Sequence, residues 1–203
     1  MGHAFVAYQE LAHVPLIIDW PDHWPHAERV ETPVSTRRVF HTMLEAAGES
    51  VDGDHRESYN EARRLTLRHS ANGRDPEQGT AFCEVYPPLN FVRAIEQRQP
   101  HLLEPFRCLS DRRAIVKADE ATAYKLIHVD DQPDELFDLG ADPLEVKNVR
   151  AERPSLTAGL DDHLRNMVDN ALLQRDRQTE EAVVDFENDA QLQQRLRGLG
   201  YLD

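Results

Sequence analysis

The sequence has few cysteines, few lysines and no long apolar run. Cys83 and Cys108 are the only two cysteines in 203 residues, which is too few for the disulfide framework of a small secreted domain. No stretch approaches the ~20 apolar residues of a membrane-spanning helix. No basic region followed by an apolar core marks the N-terminus as a secretory signal. We therefore expect a soluble chain without a visible export signal, and its compartment stays open.

Basic residues are outnumbered, 23 against 37 acidic ones, which gives a net charge of -14. Such a surface repels nucleic acid and anionic lipid, so we expect neither as a partner. Only three of the basic residues are lysines. An acid excess with scarce lysine fits a protein that works in high salt, where screening removes the self-repulsion. A GC-rich genome, which favours arginine codons, explains the scarcity equally well.

The second half of the chain has the pattern of a small sheet covered by a helix. Strands are predicted at 80–86, 113–117, 123–129 and 135–138, and the acidic turns between the last three favour an antiparallel meander. Pro154 stands at the first position of a helix that reaches about residue 173. An apolar stripe predicts that this helix packs on the meander. The stripe consists of Leu156, Leu160, Leu164, Met167, Val168, Ala171 and Leu172.

The first half of the chain is less regular. The β-branched run at 13–19 predicts a buried strand, preceded by a helical turn at 8–12. Ser35 or Thr36 is expected to cap a helix that ends near Ala47, before Gly48. The apolar stripe of that helix would be Val39, Phe40, Met43, Leu44 and Ala47. Residues 49–78 are polar and predict a long loop or insertion with one helical turn near 61–67, and a short helix is expected around Val92 and Ile95.

Three stretches, in order, resemble sulfatases of the alkaline phosphatase superfamily. The first is Gly2-His3, followed by Tyr8-Gln-Glu-Leu-Ala-His-Val-Pro-Leu-Ile-Ile18 and Trp20-Pro21, with Pro33-Val-Ser35 and Leu44-Glu-Ala-Ala-Gly48 behind it. The second is Arg113-Ala-Ile115, Tyr124-Lys-Leu-Ile127, Glu135-Leu-Phe-Asp-Leu139, Ala141-Asp-Pro143, Glu145 and Asn148. The third is Leu196-Arg-Gly-Leu-Gly-Tyr-Leu202. In this family the corresponding patterns are a Gly-Lys/His-Gly step with a Val-Pro-Leu-Ile-Ile strand, a Tyr-Lys-Leu-Ile to Asp-Pro-x-Glu-x-x-Asn series, and a Leu-Gly-Tyr ending.

The resemblance implies an α/β plus α+β fold with a particular division of the chain. Residues 1–50 would be the C-terminal strands and helix of an alkaline-phosphatase-like α/β domain, and 51–78 a loop or insertion. Residues 79–175 would form a small antiparallel sheet packed with a long C-terminal helix, and 176–203 an acidic tail with a short amphipathic end. One departure concerns the family's Asp-x-x-Pro-Thr step, where this chain has Arg38 and His41 at the Asp and Pro positions.

The resemblance also implies a chemistry that this chain only partly carries. Sulfatases cleave sulfate esters with a formylglycine made from a Cys/Ser-x-Pro-x-Arg motif, and hard oxygen ligands hold a divalent cation, usually calcium, against the sulfate. In the family these groups lie mostly before the Gly-Lys/His-Gly step. His3 is the one residue here that matches a functional position, where a Lys or His reaches the sulfate. We therefore expect the chain alone to be inactive and to bind no metal, and either to be prone to aggregation or to depend on a complementary N-terminal sulfatase segment.

Two other patterns suggest sites and are expected to be structural. Cys108-Leu-Ser-Asp-Arg112 has the skeleton Cys-x-Ser-x-Arg, but it precedes a strand of the small sheet and follows no Asp-Asp pair. We expect an unmodified cysteine at a strand edge. His23 and His26 share a Pro-containing loop, where helical ligand spacing does not apply, so no metal site is expected there.

Three functional hypotheses remain open from the sequence. The first is the C-terminal part of a hydrolase that acts on a small-molecule or saccharide sulfate ester. The second is a related phosphatase or phosphonate-ester hydrolase, which would differ in the missing nucleophile. The third is a non-catalytic remnant or binding module that pairs with a separate chain. The residues do not identify the ester.

Overall fold

The computed structural model describes residues 5–20, 29–47, 60, 63–71, 73–130 and 132–181. They form a mixed α/β structure with one four-stranded antiparallel sheet. The chain divides into two compact units, Met1–Leu164 and Arg165–Asp203. The helices are α1 (Gln9–Ala12), α2 (Arg38–Ala46), α3 (Leu67–Ala71), α4 (Leu89–Arg98) and α5 (Pro154–Glu181), with 3-10 turns at Pro100–Leu102 and Arg150–Glu152. The strands are β1 (Thr80–Val85), β2 (Arg112–Ala118), β3 (Ala123–Val129) and β4 (Glu135–Asp138).

The sheet is a meander in which each strand pairs with the next one along the chain. The spatial order is β1-β2-β3-β4, and every neighbouring pair is antiparallel. Ala114 pairs with Cys83 on one side and Ile127 on the other. All four predicted strands and their antiparallel order are therefore confirmed.

One side of the sheet, which we call the N-segment face, packs against the start of the described chain. Ala7 lies in a buried cluster with Ala114 of β2, Ile127 of β3 and Phe137 of β4. The Tyr8 ring meets the Phe137 ring edge-on, with centroids 6.1 Å apart. These sheet residues alternate along their strands with those of the opposite side, so Ala7 and Tyr8 pack on one face of the sheet.

The other side, the helix face, carries Ile115, Leu126 and Leu136, whose side chains are fully buried. The start of α5 lies on this side, since the Arg153 guanidinium stands 5.8 Å from the centre of the Tyr124 ring. Pro154 begins α5 as predicted.

The apolar stripe of α5 is buried only in its first half. Leu160 and Leu164 are each 2% exposed, which confirms that this part of the helix packs. Farther along, Met167 and Val168 are half-buried, and Leu172 is exposed. The helix also runs beyond the predicted end near residue 173, to Glu181.

Helix α2 buries a polar face, contrary to the predicted apolar stripe. Arg38 and Thr42 are buried, whereas Phe40 and Met43 are exposed. The predicted cap is also wrong, because Arg37 is the N-cap residue and makes no side-chain capping bond. Ser35 serves the sheet instead: its Oγ accepts a hydrogen bond from Phe82 N of β1 at 2.7 Å.

The segment 13–19 is extended but forms no strand with any described residue. Val14, Leu16, Ile17 and Ile18 are exposed, and Ile17 is the most exposed at 92%. The prediction of a buried strand is therefore not met within the described chain. A strand needs a neighbouring strand to pair its backbone N–H and C=O groups. The apolar pattern of 13–19 indicates a preference for burial, but it does not show whether such a neighbour exists.

The polar region before β1 is only partly described. Arg63 and Arg64 are helical, within the helical turn predicted near 61–67, and α3 follows at Leu67–Ala71. Helix α4 (Leu89–Arg98) matches the short helix predicted around Val92 and Ile95.

Candidate functional site

Several residues singled out from the sequence lie outside the described part of the chain. His3, the one proposed sulfate contact, is among them, and so are His23, His26 and the third stretch at 196–202. The described residues therefore give no geometry for a sulfate-binding group at His3.

The Cys-x-Ser-x-Arg skeleton is built into the protein interior. Cys108 is fully buried and packs with Phe5 and Val92. Its Sγ lies 3.8 Å from the Leu102 carbonyl oxygen. The residue stands in the loop before β2, so its thiol is enclosed and does not open a helix as a formylglycine precursor would. This arrangement agrees with a structural cysteine, although it lies in a core rather than at a strand edge.

Arg112 of the same skeleton closes that loop. Its guanidinium donates to the carbonyl oxygens of Ser110 and Phe106, both at 3.0 Å, and of Arg107 at 3.1 Å. Burial lowers the pKa of Arg112, with nearby Cys108 and Tyr8 acting in the opposite direction. The guanidinium is thus committed to backbone acceptors instead of an anion.

Residues of the first and second resembling stretches contact one another on the N-segment face. Tyr8 donates its hydroxyl proton to Glu135 Oε2 at 2.9 Å. The Gln9 backbone N–H donates to Glu145 Oε2. Lys125 Nζ lies 2.9 Å from Glu145 Oε1 and donates to Gln9 Oε1 at 3.3 Å. More than a hundred residues separate Tyr8 from Glu135 and Gln9 from both Lys125 and Glu145. These contacts therefore join distant parts of the sequence into one polar cluster, which we call the Lys125 cluster.

The Lys125 cluster is sheltered from water. The Lys125 side chain is 0% exposed and that of Glu145 is 2% exposed. Their contact is an ion pair by distance and not an aligned hydrogen bond, since Glu145 Oε1 accepts none from the described residues. Burial lowers the pKa of Lys125, and the Glu145 carboxylate opposes that shift. Burial, followed by the hydrogen bond to Glu135 and the charge of that residue, raises the pKa of Tyr8 to about 12.

The turn after β4 delivers Glu145 to this cluster. Glu145 has a φ of 53°, in the left-handed region that a non-glycine residue adopts only with support. Asp142 supplies part of that support, because its Oδ2 accepts from Lys147 N at 2.7 Å. Asn148 Oδ1 accepts from Leu136 N at 3.1 Å and from Arg150 N at 3.0 Å. The Asp-Pro-x-Glu-x-x-Asn series is therefore a turn that positions one buried carboxylate.

Arg38, which stands at the family's Asp position, is a buried anchor for the region before β1. Its NH1 donates to Asp75 Oδ1 at 2.6 Å, and Nε and NH2 donate to the carbonyl oxygens of Leu65 at 2.7 Å and Thr66 at 3.0 Å. Burial raises the pKa of Asp75, but the hydrogen bond from the Gly79 N–H and the Arg38 guanidinium together lower it by more. The pKa of Asp75 is therefore below its usual value. With its donors committed in this way, Arg38 is not presented to a ligand.

His41, at the family's Pro position, is half-buried on α2. Burial lowers its pKa, and the charges of Arg37 and Arg38 act in the same direction. Where the sulfatase pattern has proline, this chain thus places an imidazole beside two guanidinium groups, and these charges disfavour its protonated form.

One group of potential metal ligands forms on the helix face among the described residues. It consists of His128, Asp134 and Asp161, whose ligand atoms all lie within 4.8 Å of one another. An imidazole nitrogen and two carboxylates do not provide the about 6–8 oxygen ligands that calcium takes. The group is thus a poor match for the calcium that the resemblance implies.

Sequence reasoning did not identify Lys125, Glu145 or Asp75 as interior charges. The available signal was position: Lys125 lies between apolar residues of β3 on the same side as Ile127. A charge at such an inward position requires a buried partner. Its partner is 20 residues away through a turn, which periodicity does not reveal.

Comparison with known proteins adds no family assignment, because no protein-family model matches the sequence and no curated protein matches it significantly. Within the described ranges, no helix has both the length and the apolar character needed to cross a bilayer.

Proposed function

We propose that this chain forms the C-terminal part of a sulfatase-like hydrolase that acts on sulfate esters. The observation that carries the proposal is the Lys125 cluster, in which Tyr8 and Gln9 of the first resembling stretch bond to Glu135 and Glu145 of the second. The residues that carry the resemblance are therefore mutually supporting in space. That is the relationship expected where an α/β domain joins its small C-terminal sheet.

The exposed segment 13–19 supports the same proposal. It continues directly from α1, is extended, and presents several apolar side chains to solvent. In an alkaline-phosphatase-like domain this segment would be a strand with sheet neighbours on both sides. A complementary N-terminal sulfatase segment would supply those neighbours and bury the apolar side chains.

The division of chemistry follows from this arrangement. The complementary segment would contribute the formylglycine nucleophile and the oxygen ligands for calcium. The residues of this chain would hold the terminal strand in register through the Lys125 cluster, and His3 would contact the sulfate. A misplaced strand would displace His3 from the sulfate, and such a loss of positioning would lower the catalytic rate.

A decisive test begins with the coding sequence immediately upstream. We expect it to encode Cys/Ser-x-Pro-x-Arg and Asp-His-Gly motifs in the same or a neighbouring frame. The joined or co-expressed polypeptides should hydrolyse nitrophenyl sulfate in the presence of calcium. Activity should be lost when the motif Cys or Ser is replaced by Ala and retained in Cys108→Ala, the matched control.

The alternatives give different results in the same experiment. Preference for nitrophenyl phosphate or a phosphonate ester would assign the related phosphatase class. No upstream motif and no turnover of any ester would favour the non-catalytic hypothesis. The purified chain by itself should be inactive, and calcium-dependent turnover abolished by Cys108→Ala would overturn the proposal.

A further inference from the structure

Three side chains with metal-binding chemistry converge on the helix face from three separate elements. His128 lies near the end of β3, Asp134 stands just before β4, and Asp161 lies in α5. His128 Nδ1 is 2.8 Å from Asp134 Oδ1, and all three side chains are half-buried.

Strand register explains how the first two residues meet. Ile127 pairs with Glu135, so His128 and Asp134 occupy the next position along the same antiparallel pair. Side chains alternate across a strand, which puts His128 on the same side as Leu126. That side is the helix face.

Helix packing supplies the third side chain. Asp161 follows the buried Leu160 directly and precedes the buried Leu164 by three residues. The burial of both leucines fixes the rotation of α5 in this part of the helix, and this rotation sets Asp161 beside His128 and Asp134. The pairing of β3 with β4 and the packing of Leu160 and Leu164 therefore hold the three side chains together.

We propose that His128, Asp134 and Asp161 bind a divalent transition-metal ion of the zinc type. The three ligand atoms lie within 4.8 Å of one another. A metal ion placed between them would therefore be no farther than about 2.8 Å from each, which is 4.8 Å divided by √3. Zinc is bound by nitrogen and carboxylate oxygen at about 2.0–2.2 Å. Side-chain shifts of less than about 1 Å, well within rotamer adjustment, bring all three ligands to that distance.

The donor set selects the class of metal. One imidazole and two carboxylates suit zinc, manganese or iron better than calcium or magnesium, which prefer oxygen ligands alone. Three protein ligands leave a coordination position for water or a further group. This inference is independent of the proposed function, because the sulfatase cation would be held by residues outside this group.

A third carboxylate, that of Asp130, lies behind the imidazole. Asp130 Oδ1 is 3.6 Å from His128 Nε2, the nitrogen left over when Nδ1 faces Asp134. Metal-bound histidines generally donate their second N–H to such a group, which fixes the ring orientation. Arg113 in turn lies 3.8 Å from Asp130 and holds it on this side.

The test measures zinc binding to the full chain by competition with a chromogenic chelator. We expect one zinc ion per chain. Asp161→Asn and Asp134→Asn should each weaken binding by about tenfold or more, the loss that even an outer-shell change causes. Asp162→Asn is the matched control, since Asp162 is the exposed neighbour on the same helix, and it should leave the affinity unchanged.

A second measurement protects the test against misfolded variants and thiol binding. Cobalt bound to the unaltered chain should show visible bands without the near-ultraviolet charge-transfer band that a cysteine ligand produces. Equal zinc affinity of Asp161→Asn and Asp162→Asn, a thiolate band with cobalt, or zinc binding abolished by Cys83→Ala would each overturn the proposal.

Discussion

The Lys125 ammonium and the Glu145 carboxylate form an ion pair at 2.9 Å, with side chains 0% and 2% exposed. Lys125 comes from the middle of β3, whereas Glu145 comes from the turn after β4. The backbone N–H of Gln9 donates to the same carboxylate, so one buried charge links three regions. The Lys125 ammonium and the Gln9 backbone N–H therefore both depend on Glu145 as a partner.

Replacing Glu145 by Gln should destabilise the fold by about 3–5 kcal/mol, because removal of one partner leaves an uncompensated charge in the interior. Urea unfolding measures the change. The matched control is Glu152→Gln, which breaks the surface pair with Lys147, whose side chains are 66% and 57% exposed. That change should cost less than about 1 kcal/mol. Equal effects of the two substitutions would contradict the assigned role.

Tyr8 should give the fold a specific sensitivity to alkaline pH. Its pKa rises from 10.0 to about 12 through burial and through its bond to Glu135. Between these values the folded chain keeps a proton that the unfolded chain loses, so stability falls as pH rises. The contribution is present below about pH 10 and is lost by about pH 12.

Tyr8→Phe isolates this contribution, because the other titrating groups are shared with the unaltered chain. The difference in unfolding free energy between the two proteins should be constant below pH 10 and shrink above it. Urea unfolding across this range provides the measurement. A difference that stays constant to pH 12 would show that folding leaves the phenol pKa unchanged, and a difference that grows would show that folding lowers it.

The sheet could be read from the sequence because its signals are local. Strands at 123–129 and 135–138 begin and end as predicted, since short runs with apolar residues are bounded there by turn residues. Helix α2 could not be read in the same way. Its buried face is set by Arg38, which bonds to Leu65, Thr66 and Asp75. A prediction from periodicity treats arginine as a solvent-facing residue. It therefore assigns the wrong buried face to α2, where hydrogen-bond acceptors distant in the sequence stabilise the buried Arg38.

The candidate metal site was missed for a related reason. His128, Asp134 and Asp161 have no motif spacing, and the third lies on a different element. Strand register and helix rotation bring them together, and both are tertiary properties. His3 shows the opposite case, in which the sequence offers a candidate by resemblance and the residue lies outside the described structure.

Truncation of the α5 core contacts should be costly. Leu160→Ala and Leu164→Ala each remove a side chain that is 2% exposed, and we expect a loss of about 2–5 kcal/mol for each. Leu172→Ala, at an exposed position of the same helix, should change the unfolding free energy by about 0.5 kcal/mol or less. Chemical unfolding distinguishes the positions, and losses at Leu160 and Leu164 as small as the loss expected at Leu172 would mean that the first half of α5 is not packed.

Salt should stabilise the chain if its acidic composition is an adaptation. The acidic groups that give the net charge of -14 repel one another. This repulsion is mostly screened at a salt concentration of about 1 M, where the Debye length is about 3 Å. We expect the melting temperature to rise between low and molar concentrations of sodium or potassium chloride. An unchanged melting temperature would favour codon composition as the reason for the scarce lysines.

Ile17 tests whether the exposed segment 13–19 is an interface. Its side chain is 92% exposed, so Ile17→Lys should change the unfolding free energy by less than about 0.5 kcal/mol. The same substitution should reduce self-association of the purified chain, because an unpaired apolar edge is a template for strand addition and a lysine blocks it. Leu144→Lys is the matched control, since Leu144 is also exposed, at 82%, but lies in the turn after β4. Sedimentation velocity at several protein concentrations measures both variants. If the two lysines reduce association equally, general charge is responsible and the segment has no special affinity for a partner strand.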